Sequence, residues 1–282
     1  MKVVSLHVYP LKSARAIDLG VAEVTGWGLA GDRRYMVCDP EGALVTQREV
    51  QALAQVTARV ENGVLTLTKQ GEATPIHATF DPERRLDVRV WDDPLSASLS
   101  SPEVDAELSR WLGRDVRLVH ADALSHRACN PAWAGEGVET GFADGYPILV
   151  ATTGSLKALA EEAERLGGGA FGMDRFRPNI VIEDDRPFAD DYWQAIEISG
   201  IRYDLVKPCT RCIMTTQDQM TGERGGPDPM PAMRRIRMSG DRRVAGVLFG
   251  WNAVPRAEGR VSVGDTVTVV AEPPDGWPLR TR

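Results

Sequence analysis

Cysteine is scarce in this chain: four residues in 282, at 38, 129, 209 and 212. That number rules out a disulfide-stapled scaffold and fits a reducing compartment. Long apolar runs are absent as well. The N-terminal Met1–Tyr9 alternates rather than forming the continuous core of a signal peptide, and no stretch reaches membrane-spanning length. Cytoplasmic localisation without a membrane partner is therefore expected. Positive charge is in deficit, with a net formal charge of −7 and an isoelectric point near 5.3. Such a balance argues against a nucleic-acid scaffold or an anionic membrane as partner. The basic run Arg234, Arg235, Arg237, Arg242, Arg243 then reads as a solvated face or a loop near the site. No internal repeat or low-complexity segment is visible.

What remains is an ordinary globular composition, 43% hydrophobic and 26% charged, in a chain long enough for two medium-sized domains. Strand patterns dominate. They cover Lys2–Tyr9, Arg33–Cys38, Gln55–Glu61, Val64–Lys69, Leu86–Trp91, Asn179–Glu183, Ala195–Ser199, Ile201–Val206, Val244–Phe249 and Thr266–Val270. Asn62-Gly63 between two of them is a strong hairpin signal. Helices are expected over Pro102–Leu112, closed by Gly113, and over Ser155–Leu166, closed by the glycines at 167–169. The fold class is thus mostly β with some helices (α+β), in two β-rich domains at 1–119 and 120–271, with a tail at 272–282. Asp122–Phe142 lacks periodicity and reads as a long loop, whose Asn130, Trp133 and Glu136 would line a substrate entrance.

Two cysteines three positions apart, in Lys207-Pro208-Cys209-Thr210-Arg211-Cys212, carry the strongest chemical signal. A thiolate beside fixed positive charge is a soft metal ligand or a nucleophile. Pro208 cannot continue a sheet ladder, so the pair is expected on a turn after the strand. A structural zinc site would want a second ligand pair, and neither Cys38, Cys129 nor the four histidines supply one. A thioredoxin-like pair would need to open a helix, whereas Ile213–Thr216 is helix-poor. Two buried inert thiols are the remaining alternative. Cationic strand ends recur elsewhere: Lys12-Ser13 after the first strand, Arg33 beside Asp32 at the mouth of the second, and Arg177-Pro178-Asn179 before a third. With the segment Asp144-Gly145-Tyr146-Pro147, they point to an anionic, metal-bearing ligand.

These motifs, in this order, resemble the MOSC superfamily, and within it the branch of the mitochondrial amidoxime-reducing component and its bacterial relatives. The resemblance rests on the segments at 9–13, 31–37, 176–182 and 209–222, ends at Val261-Ser262-Val263-Gly264-Asp265, and runs over roughly residues 2 to 270. It implies an N-terminal MOSC β-barrel followed by a MOSC domain, with the molybdenum cofactor (Mo-molybdopterin) bound between them. Cys212 would be the molybdenum ligand and the catalytic position. Cofactor contacts would fall on Lys12, Ser13, Arg33, Arg177, Asn179, Thr210 and Arg211. They would also fall on the backbone of Asp144, Gly145 and Tyr146, where the two hydroxyl-bearing residues of the family segment are replaced. The implied activity is an oxidoreductase reducing small N-hydroxylated substrates such as amidoximes and N-hydroxylated bases. The alternative is a sulfur carrier or cofactor-handling module without reductase turnover. At superfamily level the resemblance also carries an association with pyridoxal phosphate binding. Residues 271–282 contain no cysteine. No internal iron–sulfur relay is expected, and electrons would come from a separate ferredoxin-, flavoprotein- or cytochrome b5-like donor.

Overall fold

The computed structural model describes residues 1–280 and is mostly strands with four α-helices, as the sequence pattern predicts. An eight-stranded sheet dominates, in the order Val267–Ala271, Ala195–Ile198, Ile201–Thr210, Leu248–Pro255, Ile148–Thr152, Ile180–Glu183, Lys2–Val8, Ile17–Leu19. Its neighbours are antiparallel except Ile148–Thr152 with Ile180–Glu183, which run parallel. Parallel neighbours need a long crossover, and the helix Thr153–Arg165 supplies it. That helix starts where the Thr152 hydroxyl accepts from the Ser155 N–H. It buries Leu159 and Ala163 against Phe176, Met233 and Phe249.

A four-stranded sheet of Tyr35–Cys38, Arg117–His120, Asp93–Leu99 and Asp81–Val90 builds much of the N-terminal half, together with a three-stranded sheet of Val56–Glu61, Val64–Lys69 and Ile76–Ala78. A second three-stranded sheet, Gly259–Ser262, Val21–Thr25 and Gly28–Leu29, shares the core of the large sheet. The helix Pro102–Leu112 begins at Ser101, whose hydroxyl caps Val104, and stops at Gly113 in the left-handed region at φ 65°. Leu108, Trp111 and Leu112 pack it onto Val116, Leu118 and the buried faces of Val56–Glu61 and Val64–Lys69. Burying side chains of this size contributes about 1.5–3 kcal/mol each.

The two halves share the first strand. Lys2–Val8 lies in the large sheet beside Ile180–Glu183, and the chain then crosses at Tyr9–Ser13 to bridge Leu11 to Tyr35 of the four-stranded sheet. On that crossing Leu11 enters the core of the N-terminal half, while Lys12 and Ser13 line the cleft at the seam.

Three expectations need correction. Ile201–Thr210 runs straight through Pro208, which pairs with Trp251. Ala195–Ile198 accompanies this strand only as far as Asp204, so beyond it Pro208 lies on a free edge that needs no N–H. The register also shifts between Pro208 and Thr210, leaving Cys209 out of the ladder rather than on a turn. The strand expected over Val244–Phe249 is displaced to Leu248–Pro255. Arg237 is not solvated: it is buried, and its guanidinium grips Asp191 with both terminal nitrogens at 2.6 and 2.9 Å. Among the described residues no helix is long and apolar enough to cross a membrane.

Candidate functional site

Each candidate residue sits at a strand end or tight turn on the seam, so the fold brings them together without one continuous element. Lys12, Ser13, Arg33, Asp144, Gly145, Tyr146, Arg177, Asn179, Thr210, Arg211 and Cys212 all line a single cleft. The cleft encloses about 100 Å³ and opens to solvent at its mouth. Cys209 lines it too, as do Thr46, Trp91, Phe176, Met214 and Asn252.

Backbone conformation aims several of these groups. Ser13, Arg33 and Arg177 all adopt positive φ, at 66°, 46° and 54°, a region non-glycine residues enter at some cost. Three such residues around one cleft mark a site whose surroundings hold them there. At Arg33 the restraint is explicit. Its Nη1 donates to Asp32 Oδ2 at 2.6 Å and Asn179 Oδ1 at 3.2 Å, and its Nη2 to the Arg177 carbonyl at 3.2 Å. Asp32 is fixed in turn by accepting from the Tyr9 N–H, and the Arg33 guanidinium lies 4.2 Å from the Tyr9 ring centroid. Burial works against the Arg33 charge, but Asp32 more than offsets it and raises the pKa.

Arg177 lies over the same ring at 4.2 Å and donates to Gln219 Oε1 and the Ala14 carbonyl, both at 2.8 Å. Burial lowers its pKa to about 10, so it stays charged at neutral pH while bearing a desolvation cost that an anion would relieve. Lys12 is buried, donating to the Phe142 carbonyl at 2.7 Å and to Asp144 Oδ1 at 2.6 Å. Burial depresses its pKa and Asp144 opposes the shift. Asp144 itself is exposed at the mouth. Desolvation acts against its charge, and Lys12 outweighs it, holding the carboxyl well below the usual range. Burial pushes the neighbouring Tyr146 phenol up to about 12, so it is a neutral donor. Asn179 closes the network by accepting from Leu149 N–H and donating to the His7 carbonyl.

The thiol end is built by the last strand residues and the turn that follows. Arg211 donates from Nη1 to Cys209 Sγ at 3.0 Å and from Nη2 to the Phe176 carbonyl at 2.7 Å. Cys212 stands at the start of the 3₁₀ turn Ile213–Thr216, its carbonyl accepting from the Thr215 hydroxyl and N–H. Both cysteines are half-buried, whereas Cys38 and Cys129 are buried, their pKa values pushed up to about 12 and 11 by desolvation, which leaves them inert thiols.

Chemically, the lining sets four cations, Lys12, Arg33, Arg177 and Arg211, against one carboxylate, Asp144. The buried Arg211 Nε has no hydrogen-bond partner, an unused donor in the cleft wall. Among the described residues no group of three or more His, Cys, Asp or Glu is arranged to hold a metal ion. A metal here would have to arrive with most of its ligands and take a thiolate from the protein. A polyanionic cofactor carrying a soft metal meets both conditions, and the donor set fits it.

Sequence reasoning passed over Trp91, Thr46 and Gln47 as cleft residues, and it used the motif through Gly222 without giving the Gln217–Arg224 loop a structural role. This loop ties the halves together below the cleft: Gln217 donates to the Gln47 carbonyl, Gln219 to Gln47 Oε1, and Gln55 to the Thr221 carbonyl. The glutamines at 217 and 219, close to the cysteine pair, were the available signal. The expected rim did not materialise: Asn130, Trp133 and Glu136 do not line the cleft. Their loop folds behind Tyr146, with Ala134 and Cys129 packed on it and a short helix, Pro131–Ala134, inside it.

A mostly-β chain with a cationic, thiol-tipped cleft along the seam of its two halves is a defined class of protein. This chain belongs to the MOSC family: a MOSC N-terminal beta barrel domain matches residues 1–115 and a MOSC domain residues 138–268. It is similar to mitochondrial amidoxime-reducing component 1 of Danio rerio, 28% identical over 94% of this chain and 83% of that protein. The same protein of Mus musculus is 26% identical over 96% and 82%. A molybdenum cofactor sulfurase of Drosophila grimshawi is 25% identical over 95% of this chain but only 34% of its own length.

Proposed function

We propose that this protein binds the molybdenum cofactor in the seam cleft and reduces small N-hydroxylated compounds there, amidoximes and N-hydroxylated bases among them. The observation that carries this reading is the convergence of Lys12, Arg33, Arg177 and Arg211 on a cleft ending in the half-buried thiol of Cys212. The names of the relatives, amidoxime-reducing component and molybdenum cofactor sulfurase, support it.

In this reading Lys12, Arg33 and Arg177 hold the anionic end of the cofactor, the Arg211 Nε donates to one of its acceptors, and Cys212 provides a thiolate to the metal. When bound, the group supplies two-electron redox chemistry at a soft metal centre. The substrate enters through the open mouth with its N–OH group directed inward, toward Cys212. Two electrons and two protons convert N–OH to N–H and release water. Tyr146, a neutral phenol, forms part of the cleft wall at that mouth. Asp144, paired with Lys12, keeps that cation anchored at the mouth. Electrons come from a separate ferredoxin-, flavoprotein- or cytochrome b5-like donor.

A second reading, a sulfur carrier, is favoured by the second thiol. Cys209 also lines the cleft and its Sγ accepts the Arg211 Nη1 hydrogen bond, so a sulfur carried there would have a donor in place. Cofactor-loaded protein with reduced viologen as electron source separates the two. The reductase reading expects benzamidoxime to become benzamidine. Loaded protein that leaves benzamidoxime and N-hydroxycytosine unchanged, while accepting persulfide sulfur on either cysteine from a desulfurase, would transfer the assignment to the carrier.

A further inference from the structure

Trp91 is an oddity in both sequence and structure. Val90 pairs with Asp93 across the hairpin of Asp81–Val90 and Asp93–Leu99, so Trp91-Asp92 form a two-residue connection. Such turns need positive φ at their first central position and normally place Asn, Asp or Gly there. Trp91 instead carries a large aromatic at φ 58°, where a bulky side chain is an outlier. The indole gains little burial in exchange. It is 43% exposed and lines the cleft together with Asp144 and Gly145. Its known contacts are cations: the Arg48 guanidinium 4.5 Å and the Lys12 ammonium 5.8 Å from the ring centroid. Strain that is not repaid by burial points to a role in the bound state. The room for that role exists, because a Cβ built on Gly145 would meet nothing within 4 Å.

We propose that Trp91 is a specificity-determining residue: its exposed indole stacks on the planar ring of an aromatic or heteroaromatic substrate and so favours these over ring-free N-hydroxylated compounds. The proposal deepens the reductase reading and rests on it. Lys12 and Arg48 steady the indole, and the open lip at Gly145 admits the flat ring. An offset stack holds the substrate ring in the mouth while its N–OH group reaches inward. Ring-free substrates make no use of this contact, and their turnover is independent of it.

The test uses cofactor-loaded full-length protein with reduced viologen, comparing benzamidoxime with acetamidoxime. Trp91→Asn removes the ring with a residue that tolerates positive φ, so the hairpin keeps or gains stability. Trp91→Phe retains a smaller ring. For Trp91→Asn the KM of benzamidoxime is expected to rise about three- to tenfold, the loss of one aromatic stack, with Trp91→Phe in between. The acetamidoxime parameters and the molybdenum content should stay at wild-type values, and the melting temperature should not fall. Equal KM changes for both substrates, or none for either, would overturn the proposal while the wild-type turnover keeps the reductase reading intact. Wild-type protein that reduces neither substrate would remove the reductase reading, and the proposal with it. Calorimetric titration of benzamidoxime into the loaded, oxidised protein gives a readout independent of turnover: Trp91→Asn should weaken its Kd by the same factor, and an unchanged Kd counts against the stack.

Discussion

At the scale of single residues, the cleft is a set of cations buried at a cost and waiting for an anion. Arg33 is the most constrained of them, with Asp32, Asn179, the Arg177 carbonyl and the Tyr9 ring all positioning one guanidinium. Arg33→Met is expected to weaken cofactor retention about ten- to a hundredfold, as for loss of a hydrogen bond to a charged group. Molybdenum remaining after exhaustive dialysis, set against wild type, measures it. Full retention by the variant would detach Arg33 from anion binding. The residue types were legible in the sequence, because Lys12-Ser13, Asp32-Arg33, Arg177-Pro178-Asn179 and Cys209–Cys212 stand out as charged or thiol-bearing strand ends. Trp91 was not, since nothing in an alternating strand pattern announces that its last aromatic will occupy a hairpin turn. Nor was the burial of Arg237, whose partner Asp191 lies 46 positions away.

At the scale of elements, local chemistry fixed what local chemistry can. The Asn62-Gly63 hairpin has both central residues at positive φ, 50° and 78°, as its two-residue turn demands. Pro102–Leu112 begins and ends at its caps. Pro208 misled because a proline reads as a strand breaker until the neighbouring strand is known to stop at Asp204. The long stretch at 122–142 has no period, so only tertiary packing behind Tyr146 gives it a place. The Gln217–Arg224 loop is the element on which the thiol end of the cleft leans. At Gly222 φ is 80°, and an added Cβ would stand 2.3 Å from the Gln51 carbonyl oxygen. Gly222→Ala combines backbone strain with a backbone clash and should cost about 1–3 kcal/mol or undock the loop. A lower melting temperature with faster proteolysis near the loop is the expected result. An unchanged melting temperature would show that the loop docks without this close approach.

At the scale of the whole molecule, the large sheet and the helix Thr153–Arg165 meet around a buried polar cluster distant in role from the cleft. Ser155 donates to Asp190 at 2.8 Å, Arg237 grips Asp191, and Trp251 donates to Asp191 from Nε1 at 3.1 Å. Burial, with Asp191 next to it, raises the Asp190 pKa to about 6. The folded protein therefore binds this proton more tightly than the unfolded chain, whose ordinary carboxyl titrates near pH 4. The contribution is fully present below pH 4 and is lost as pH rises through about 6. Asp190→Asn mimics the protonated form and can still accept from Ser155. It should leave stability near pH 4 almost unchanged and raise it by about 1–3 kcal/mol at pH 8. Urea unfolding at the two pH values measures the difference, and equal effects at both would place the titration elsewhere.

The central claim is that a molybdenum centre takes a thiolate from Cys212 in the seam cleft. X-ray absorption at the molybdenum edge, recorded on loaded wild-type protein and on Cys212→Ser, tests it most directly. Cys212→Ser is expected to lose a sulfur neighbour from the metal, and Cys209→Ser to leave the metal environment unchanged. A sulfur shell that survives Cys212→Ser and shrinks instead in Cys209→Ser would contradict it.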